Sequence, residues 1–145
     1  MISILKTHLI DIQQHSIAAY PYECCGAMLG VIDQKTQQKV THKLVEINNT
    51  STENQRRRFA ISTADYQALE QHAEECQLSV LGFYHSHPNH PAIPSETDLN
   101  FAWPFFSYII QSIYDKVPKD VYSYELDVDI HQFKEEKLMI GDQNE

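Results

Sequence analysis

The chain has 145 residues, of which 42% are hydrophobic and 21% are charged, the composition of an ordinary globular protein. Its formal net charge of -9 argues against nucleic acids and anionic membranes as partners. No apolar run is long enough to span a membrane, Met1–Ile4 lacks a secretory pattern, and the odd number of cysteines without a Cys-x-x-Cys pair indicates neither disulfides nor a thiolate zinc site. These features predict one domain over residues 1–145, located in the cytoplasm.

The first fifty residues predict a helix followed by two strands. Leu9, Ile10, Ile17 and Ala18 give Thr7–Ala19 a broad apolar side, and Pro21 ends that helix. The dense apolar run Cys25–Ile32 is typical of a buried strand. Lys39–Ile47 alternates in polarity, so these two strands are expected to pair as a hairpin.

A polar stretch, Asn48–Arg58, is predicted to form an exposed loop. Its arginines, Arg56–Arg58, could bind a carboxylate or an acidic partner, and a solvated charge run is the alternative. Phe59–Ile61 is expected to be a short strand. Ser62-Thr63-Ala64-Asp65 then forms a capping box, which predicts a helix that continues to about Cys76.

The second half of the chain is richer in strands. Ser79–His87 is predicted to be a strand on which Leu81, Phe83, His85 and His87 share one face. The remaining predictions are a short helix at Ser95–Ala102, a strand at Phe105–Ile113, a loop at Asp115–Asp120, strands at Val121–Leu126 and Lys134–Ile140, and a polar tail at Gly141–Glu145. Without regular βαβ alternation, this order favours an α+β domain with a mixed, largely antiparallel sheet.

Two histidines and one aspartate have the spacing of a metal site. His85 and His87 would point the same way from a strand, and the stiff, proline-rich segment that follows could return Asp98 to the strand end. Two imidazoles and a carboxylate leave a fourth tetrahedral position open for water, which is the arrangement of a catalytic zinc. The alternative is that Ser95-Glu96-Thr97-Asp98 is only a capping box, and both interpretations can hold together.

The complete string resembles the signature of the JAMM (MPN+) zinc metalloprotease family. The family pattern is His, Ser or Thr, His, Pro, and then Ser-x-x-Asp. The matching residues are His85, Ser86, His87, Pro88, Ser95 and Asp98. The resemblance covers about Leu5–Ile140 and implies a JAMM/MPN-like (cytidine deaminase-like) fold, an α/β sandwich whose sheet lies between helices.

The resemblance also implies the roles of two further residues. The family has a glutamate before a Cys-Gly and a short apolar strand, and Glu23 is the candidate for it. With one Zn²⁺ held by His85, His87 and Asp98, Glu23 would act as general base and acid, and Ser95 could hydrogen-bond the oxyanion. The alternative for Glu23 is a structural cap or ion pair, and the use of iron or manganese instead of zinc stays open.

Other residues near the motif receive structural interpretations. Ser86 points to the other face, and Tyr84 and Trp103 are expected to pack in the core. His90 is expected to be a solvated surface histidine, and contact with substrate is the alternative. Cys24 and Cys25 are predicted to be buried packing residues. The remaining histidines have no ligand spacing and are predicted to be structural or surface residues: His8, His15, His42, His72 and His131.

The family's substrates suggest what the chain acts on. JAMM enzymes cleave the amide bond after the C-terminal Gly-Gly of ubiquitin or ubiquitin-like proteins, and this short chain is similar to the small prokaryotic Mec-type branch, which trims a diglycine-ended sulfur-carrier protein. The alternatives are a deubiquitinase-like isopeptidase acting on ubiquitin-like conjugates and a non-catalytic MPN scaffold. A TIM-barrel amidohydrolase, the other setting for His-x-His, needs about 250 residues. The oligomeric state stays open.

Overall fold

The computed structural model describes residues 1–47, 62–100 and 102–142. The predicted loop at Asn48–Arg58 and the predicted strand at Phe59–Ile61 lie outside these residues, as does the end of the predicted tail. The described elements, in chain order, are β1 (Ile2–Leu5), α1 (Lys6–Ala19), β2 (Cys25–Ile32), β3 (Lys39–Ile47), α2 (Thr63–Glu75), β4 (Ser79–Pro88), α3 (Glu96–Asn100), β5 (Ser107–Tyr114), β6 (Val117–Asp127), β7 (Gln132–Glu136) and β8 (Leu138–Gly141).

In the described part of the chain the strands form one sheet, in the order β7-β6-β5-β4-β2-β3-β1-β8. β4 lies at its centre, antiparallel to β2 and parallel to β5. β1 runs parallel to both β3 and β8, whereas the β2–β3, β5–β6 and β6–β7 pairs are antiparallel. The predicted mixed, largely antiparallel sheet and the predicted β2–β3 hairpin are therefore confirmed.

The two longer helices cover opposite faces of this sheet. Ile12 of α1 is buried in one apolar cluster together with Tyr84, whereas Leu69 and Ala73 of α2 are buried in another together with Phe83. Because Phe83 and Tyr84 are consecutive residues of β4, their side chains point to opposite faces. The sheet thus lies between α1 and α2, as the predicted α/β sandwich requires. No helix in the described ranges is long and apolar enough to cross a membrane.

The shared face predicted along β4 fails at Leu81. The pairing with β2 shifts there, since Met28 lies opposite Gly82 while Leu29 lies opposite Val80. Leu81 is the extra residue of this bulge, and it packs with Tyr84 on the α1 side instead of with Phe83. The bulge changes which side chains of β4 share a face, and Leu81 therefore points away from Phe83, His85 and His87. The predicted shared face is wrong for Leu81.

Two further element predictions also need correction. The predicted loop at Asp115–Asp120 is a tight hairpin turn, because Asp115 and Lys116 both have positive φ, 51° and 68°, and β6 already begins at Val117. Positive φ at both central residues is the geometry of a type I′ turn. The sequence lacks the Asn-Gly pair that usually marks such a turn, so the turn was not predicted. α3 is shorter than predicted and spans Glu96–Asn100.

The predicted strand at Lys134–Ile140 is divided between the two edges of the sheet. β7 ends at Glu136 and β8 begins at Leu138, so Lys137 alone joins the outermost strand of one edge to the outermost strand of the other. The backbone N–H of Ile2 donates to the Lys137 carbonyl at 3.1 Å, which leads the chain into β8 beside β1. The sheet therefore curls until its edges meet at this end. β1, a strand of four residues, was not predicted.

Candidate active site

Three side chains with metal-binding atoms converge at the end of β4. His85 and His87 are each 1% exposed, and their Nε2 atoms lie 3.0 Å apart. Oδ1 of Asp98 lies 3.2 Å from Nε2 of His85, and Oδ2 lies 3.1 Å from Nε2 of His87. In the described part of the chain, these are the residues whose ligand atoms cluster closely enough to hold a metal ion. The structure therefore brings together the three predicted ligands.

The local sequence explains this convergence. His85 and His87 alternate with Ser86 on a central strand, so both rings point to the face on which Phe83 and α2 lie. Asn89 then takes a positive φ of 61°, which turns the chain out of β4. The segment from residue 88 to residue 94 contains three prolines, which keep it from continuing as a regular element, and α3 begins two residues beyond it.

The chemistry of the donor set fits a cation. Nδ1 of His87 donates to the Pro91 carbonyl at 2.8 Å, which leaves Nε2 as the ring nitrogen directed at Asp98. Two imidazole nitrogens and a carboxylate this close together need a proton or a metal ion between them. Burial opposes ionisation of Asp98, yet His85 and His87 hold the pKa of its carboxyl well below its ordinary range.

Ser95 and Asp98 form the predicted capping box. The Asp98 backbone N–H donates to Oγ of Ser95 at 3.0 Å, and the Ser95 backbone N–H donates to Oδ2 of Asp98 at 2.8 Å. The carboxylate therefore caps α3 with the same oxygen that approaches His87. Because Ser95 Oγ accepts in this box, its own hydroxyl hydrogen remains able to donate to another group.

Glu23 reaches the site from a distant part of the sequence. It lies two residues before β2, whose first residue, Cys25, pairs with His85 across the sheet. Ser86 fixes this junction, because its Oγ accepts from the Cys24 N–H at 2.9 Å and its own N–H donates to the Cys24 carbonyl. Ser86 thus has the predicted structural role, because it links the strand that carries the two histidines to the segment that carries Glu23.

The surroundings of Glu23 favour its protonated form. The residue is 2% exposed, and burial raises the pKa of its carboxyl to about 8. His87 opposes this shift in pKa, and the negative charge of Asp98 adds to it. A carboxyl with a pKa close to neutral can both accept and release a proton near pH 7, which is what general acid–base chemistry requires.

Two predictions about residues near the motif are wrong. His90 is half-buried and stacks on His87, with ring centroids 4.0 Å apart and an interplanar angle of 17°. It was predicted to be a solvated surface residue, and the proline-rich segment that folds back over β4 is what places it there. Trp103 is 44% exposed and packs edge-on against Tyr66 instead of entering the core.

Other predictions about individual residues are confirmed. Tyr84 is buried in the core, and its hydroxyl lies 2.7 Å from Nδ1 of His15. Cys24 and Cys25 are both buried free thiols. His15 has a structural role through Tyr84, on the face of the sheet away from the candidate metal ligands.

Solved structures share this fold over nearly the whole chain. A protein from Desulfitobacterium hafniense is 25% identical with a TM-score of 0.85, and the match covers 99% of this chain and 94% of that one. A protein from Salinibacter ruber is 35% identical with a TM-score of 0.74, covering 99% and 93%. A JAB1/MPN domain protein from Archaeoglobus fulgidus is 21% identical with a TM-score of 0.61, covering 97% of each chain. These matches confirm the predicted JAB/MPN fold.

Sequence comparison identifies the family. A desampylase from Haloferax volcanii is 31% identical over 93 residues, and the match spans 63% of this chain and 63% of that enzyme, less than two thirds of its length. The family described as prokaryotic homologs of the JAB domain matches residues 5–127, a segment that includes Glu23 and the entire His85–Asp98 motif. Together with the fold and the convergent histidine–aspartate cluster, this match shows that the chain belongs to the prokaryotic JAB/MPN domain family.

Proposed function

We propose that this chain is a zinc-dependent JAMM peptidase or isopeptidase that hydrolyses the amide bond after the C-terminal Gly-Gly of a ubiquitin-like or sulfur-carrier protein. The observation that carries the proposal is the convergence of His85, His87 and Asp98 beside the buried carboxyl of Glu23. The desampylase relative supports a hydrolase that acts on isopeptide bonds to small ubiquitin-like modifiers. Free cysteines fit the reducing cytoplasm as its location.

Each residue of the site has one task in the proposed reaction. His85, His87 and Asp98 would hold zinc, which when bound polarises the scissile carbonyl and lowers the pKa of a water molecule to about 7. Glu23 takes a proton from the attacking water and delivers it to the leaving amine. A positive charge nearby would lower the pKa of Glu23 from about 8 towards neutrality, so that the carboxylate is present at pH 7.

Ser95 is proposed to stabilise the negative charge that develops on the carbonyl oxygen. Its Oγ is fixed by the Asp98 N–H at 3.0 Å, so the hydroxyl lies at the N-terminus of α3, close to a proposed ligand. A hydroxyl held in advance in this way loses little entropy when it donates to an oxyanion. Ser95 would thus combine the capping role that the structure describes with a catalytic one.

A diglycine tail suits a site of this kind for a physical reason. Glycines have no side chains, so their backbone can approach a buried metal centre closely. The ligand atoms of His85 and His87 are almost completely buried, so a substrate chain must be narrow to reach them. This argument supports an extended tail that ends in Gly-Gly plus the residues to be removed.

The test uses ubiquitin-like carriers that differ only at the bond to be cut. Purified protein loaded with zinc is incubated with a carrier that ends in Gly-Gly plus a short peptide, and the products are measured by mass spectrometry. We expect loss of only the residues beyond Gly-Gly, and no cleavage when the last Gly is replaced by Val. A protein that ignores every diglycine fusion and instead trims unrelated unfolded peptides would contradict the proposed substrate.

Glu23→Gln is the matched control for the mechanism. The amide keeps the shape of the side chain but cannot take up the proton, so kcat should fall by about a hundredfold to ten-thousandfold with little change in zinc content or substrate binding. Equal processing by Glu23→Gln and wild type would contradict the role of Glu23.

The same assay separates the two kinds of substrate. A linear fusion represents a sulfur carrier extended by a cysteine or short peptide, whereas a carrier linked to a lysine side chain represents a conjugate. The desampylase relative favours activity on the lysine-linked substrate. Faster cleavage of the linear fusion would identify carrier maturation as the principal reaction, and faster cleavage of the lysine-linked carrier would identify deconjugation.

A further inference from the structure

The segment between the two halves of the site supplies the hydrogen bond that orients His87. Nδ1 of His87 donates to the Pro91 carbonyl at 2.8 Å, and this bond fixes both the tautomer and the rotation of the ring. The segment has few backbone donors of its own, because Pro88, Pro91 and Pro94 have no N–H. Its conformation must therefore be held by groups from other parts of the molecule.

One anchor holds the beginning of the segment at the surface. Oδ1 of Asn89 accepts from the Tyr20 hydroxyl at 2.9 Å and from the Asp115 N–H at 3.3 Å. Both bonds are exposed to solvent, so water competes for their donors and acceptors, and each contributes little net free energy.

A second anchor holds the middle of the segment, and it is buried. The hydroxyl of Tyr124 donates to the Ala92 carbonyl at 2.7 Å. Ala92 is 2% exposed, and it packs with Ile110 and Tyr124 in a small apolar cluster to which Phe133 also belongs. The anchored Ala92 carbonyl belongs to the residue that directly follows Pro91. A bond in such surroundings cannot be replaced by one to solvent, so its loss leaves a buried acceptor without its donor.

We propose that Tyr124 of β6 is a positioning residue for zinc, an inference that rests on the proposed metal site. Its hydroxyl fixes Ala92, and through the adjoining peptide it fixes the Pro91 carbonyl to which His87 donates. Tyr124 thus sets the direction of Nε2 of His87 from two strands away, without itself approaching the ligands. No contact between Tyr124 and substrate is required for this role.

The test is Tyr124→Phe, which removes only the hydroxyl oxygen. Tyr122→Phe on the same strand is the matched control, since Tyr122 is 40% exposed. Phe133→Leu is a second control, because it loosens the packing against the Tyr124 ring, 6.2 Å away, and keeps the hydroxyl. Zinc affinity is measured by competition with a chromophoric chelator at a temperature at which all variants are folded. Visible absorption of the Co²⁺-substituted proteins reports the ligand geometry.

We expect Tyr124→Phe to bind zinc about tenfold more weakly, at the lower end of the range for groups that orient metal ligands, and to shift the Co²⁺ spectrum. Tyr122→Phe and Phe133→Leu should match wild type in both measurements. Unchanged affinity and spectrum in Tyr124→Phe would overturn the role of Tyr124, as would an equal loss in Phe133→Leu, which would assign the effect to packing. Failure of wild type itself to bind zinc would instead refute the proposed function.

Discussion

In the described part of the chain, α2 and α3 both begin at a Ser-x-x-Asp segment, and only the second segment belongs to the candidate site. Ser62 Oγ accepts from the Asp65 N–H at 3.1 Å at the start of α2, and Ser95 Oγ accepts from the Asp98 N–H at 3.0 Å at the start of α3. The serine-to-backbone bonds are nearly identical. The aspartates differ, because Asp65 is exposed and lines a groove of about 240 Å³ beside β3, whereas the Asp98 side chain is 8% exposed and lies against two imidazoles.

A Ser-x-x-Asp segment at the start of a helix is therefore not by itself evidence of a metal site. α2 has thirteen residues and a packed apolar face, so its Ser62 cap stabilises a helix that belongs to the core. α3 has five residues, none of them buried, so its box holds Asp98 in place more than it supports a helix. The histidine pair of β4 is what converts the second segment into a candidate metal site.

The two helix starts are expected to differ most in the effect of replacing their aspartates. Asp98→Ala removes one of three proposed ligands and the group that caps the Ser95 N–H, so bound zinc should fall from about one per chain to near zero and activity should be lost. Asp65→Ala should keep both zinc and activity. Elemental analysis of dialysed protein and the diglycine-fusion assay give the two readouts. Full zinc content in Asp98→Ala would remove Asp98 from the ligand set.

The serines should show a smaller contrast. Ser95→Ala and Ser62→Ala each remove one capping bond and should each cost about 1 kcal/mol of unfolding free energy, measured by denaturant titration. Only Ser95→Ala should also lower kcat, by about a hundredfold or more with zinc retained, if its hydroxyl stabilises the oxyanion.

Ser95→Asp sharpens this contrast, because it keeps a capping oxygen but adds a charge that opposes the oxyanion. We expect this variant to fold and to be inactive. Full activity in Ser95→Asp would leave Ser95 with the capping role alone.

The smallest expected effect concerns the charge of Asp65. Asp65→Asn keeps the side-chain shape but removes a negative charge from the first turn of α2, where it interacts favourably with the helix dipole. Stability should fall by about 0.3 to 1 kcal/mol, and zinc binding and kcat should not change. A loss of zinc in this variant would show that the two helix starts are not independent.

Much of the candidate site could be predicted because its three candidate ligands are close in sequence. His85 and His87 alternate on one strand, and Asp98 follows after a short proline-rich segment, so local geometry alone places the three side chains near one another. Glu23 could not be located in this way, since its segment joins the site through Ser86 and the β2–β4 pairing, across 62 positions of sequence. Its prediction depended on the family resemblance.

Three of the errors, at Leu81, Lys137 and His90, have a common physical origin in long-range packing. The bulge at Leu81 depends on how β2 pairs with β4, and the division of the predicted strand at Lys137 depends on how far the whole sheet curls. His90 faces His87 because Tyr124 and Asn89 hold the proline-rich segment against the strand. None of these contacts leaves a periodic pattern in the local sequence.

The position of β1 between β3 and β8 has a consequence for how the molecule folds. Ile2 lies opposite Leu138, so the strand at one end of the described chain finds one of its two neighbours at the other end. Such a contact closes the long loop between Ile2 and Leu138, and its entropy cost must be met before the pairing contributes any stability. During synthesis from the N-terminus, the edge of β1 that pairs with β8 has no partner until residues 138–141 have been made. Within the described residues, the sheet is therefore completed by its last strand in sequence, β8.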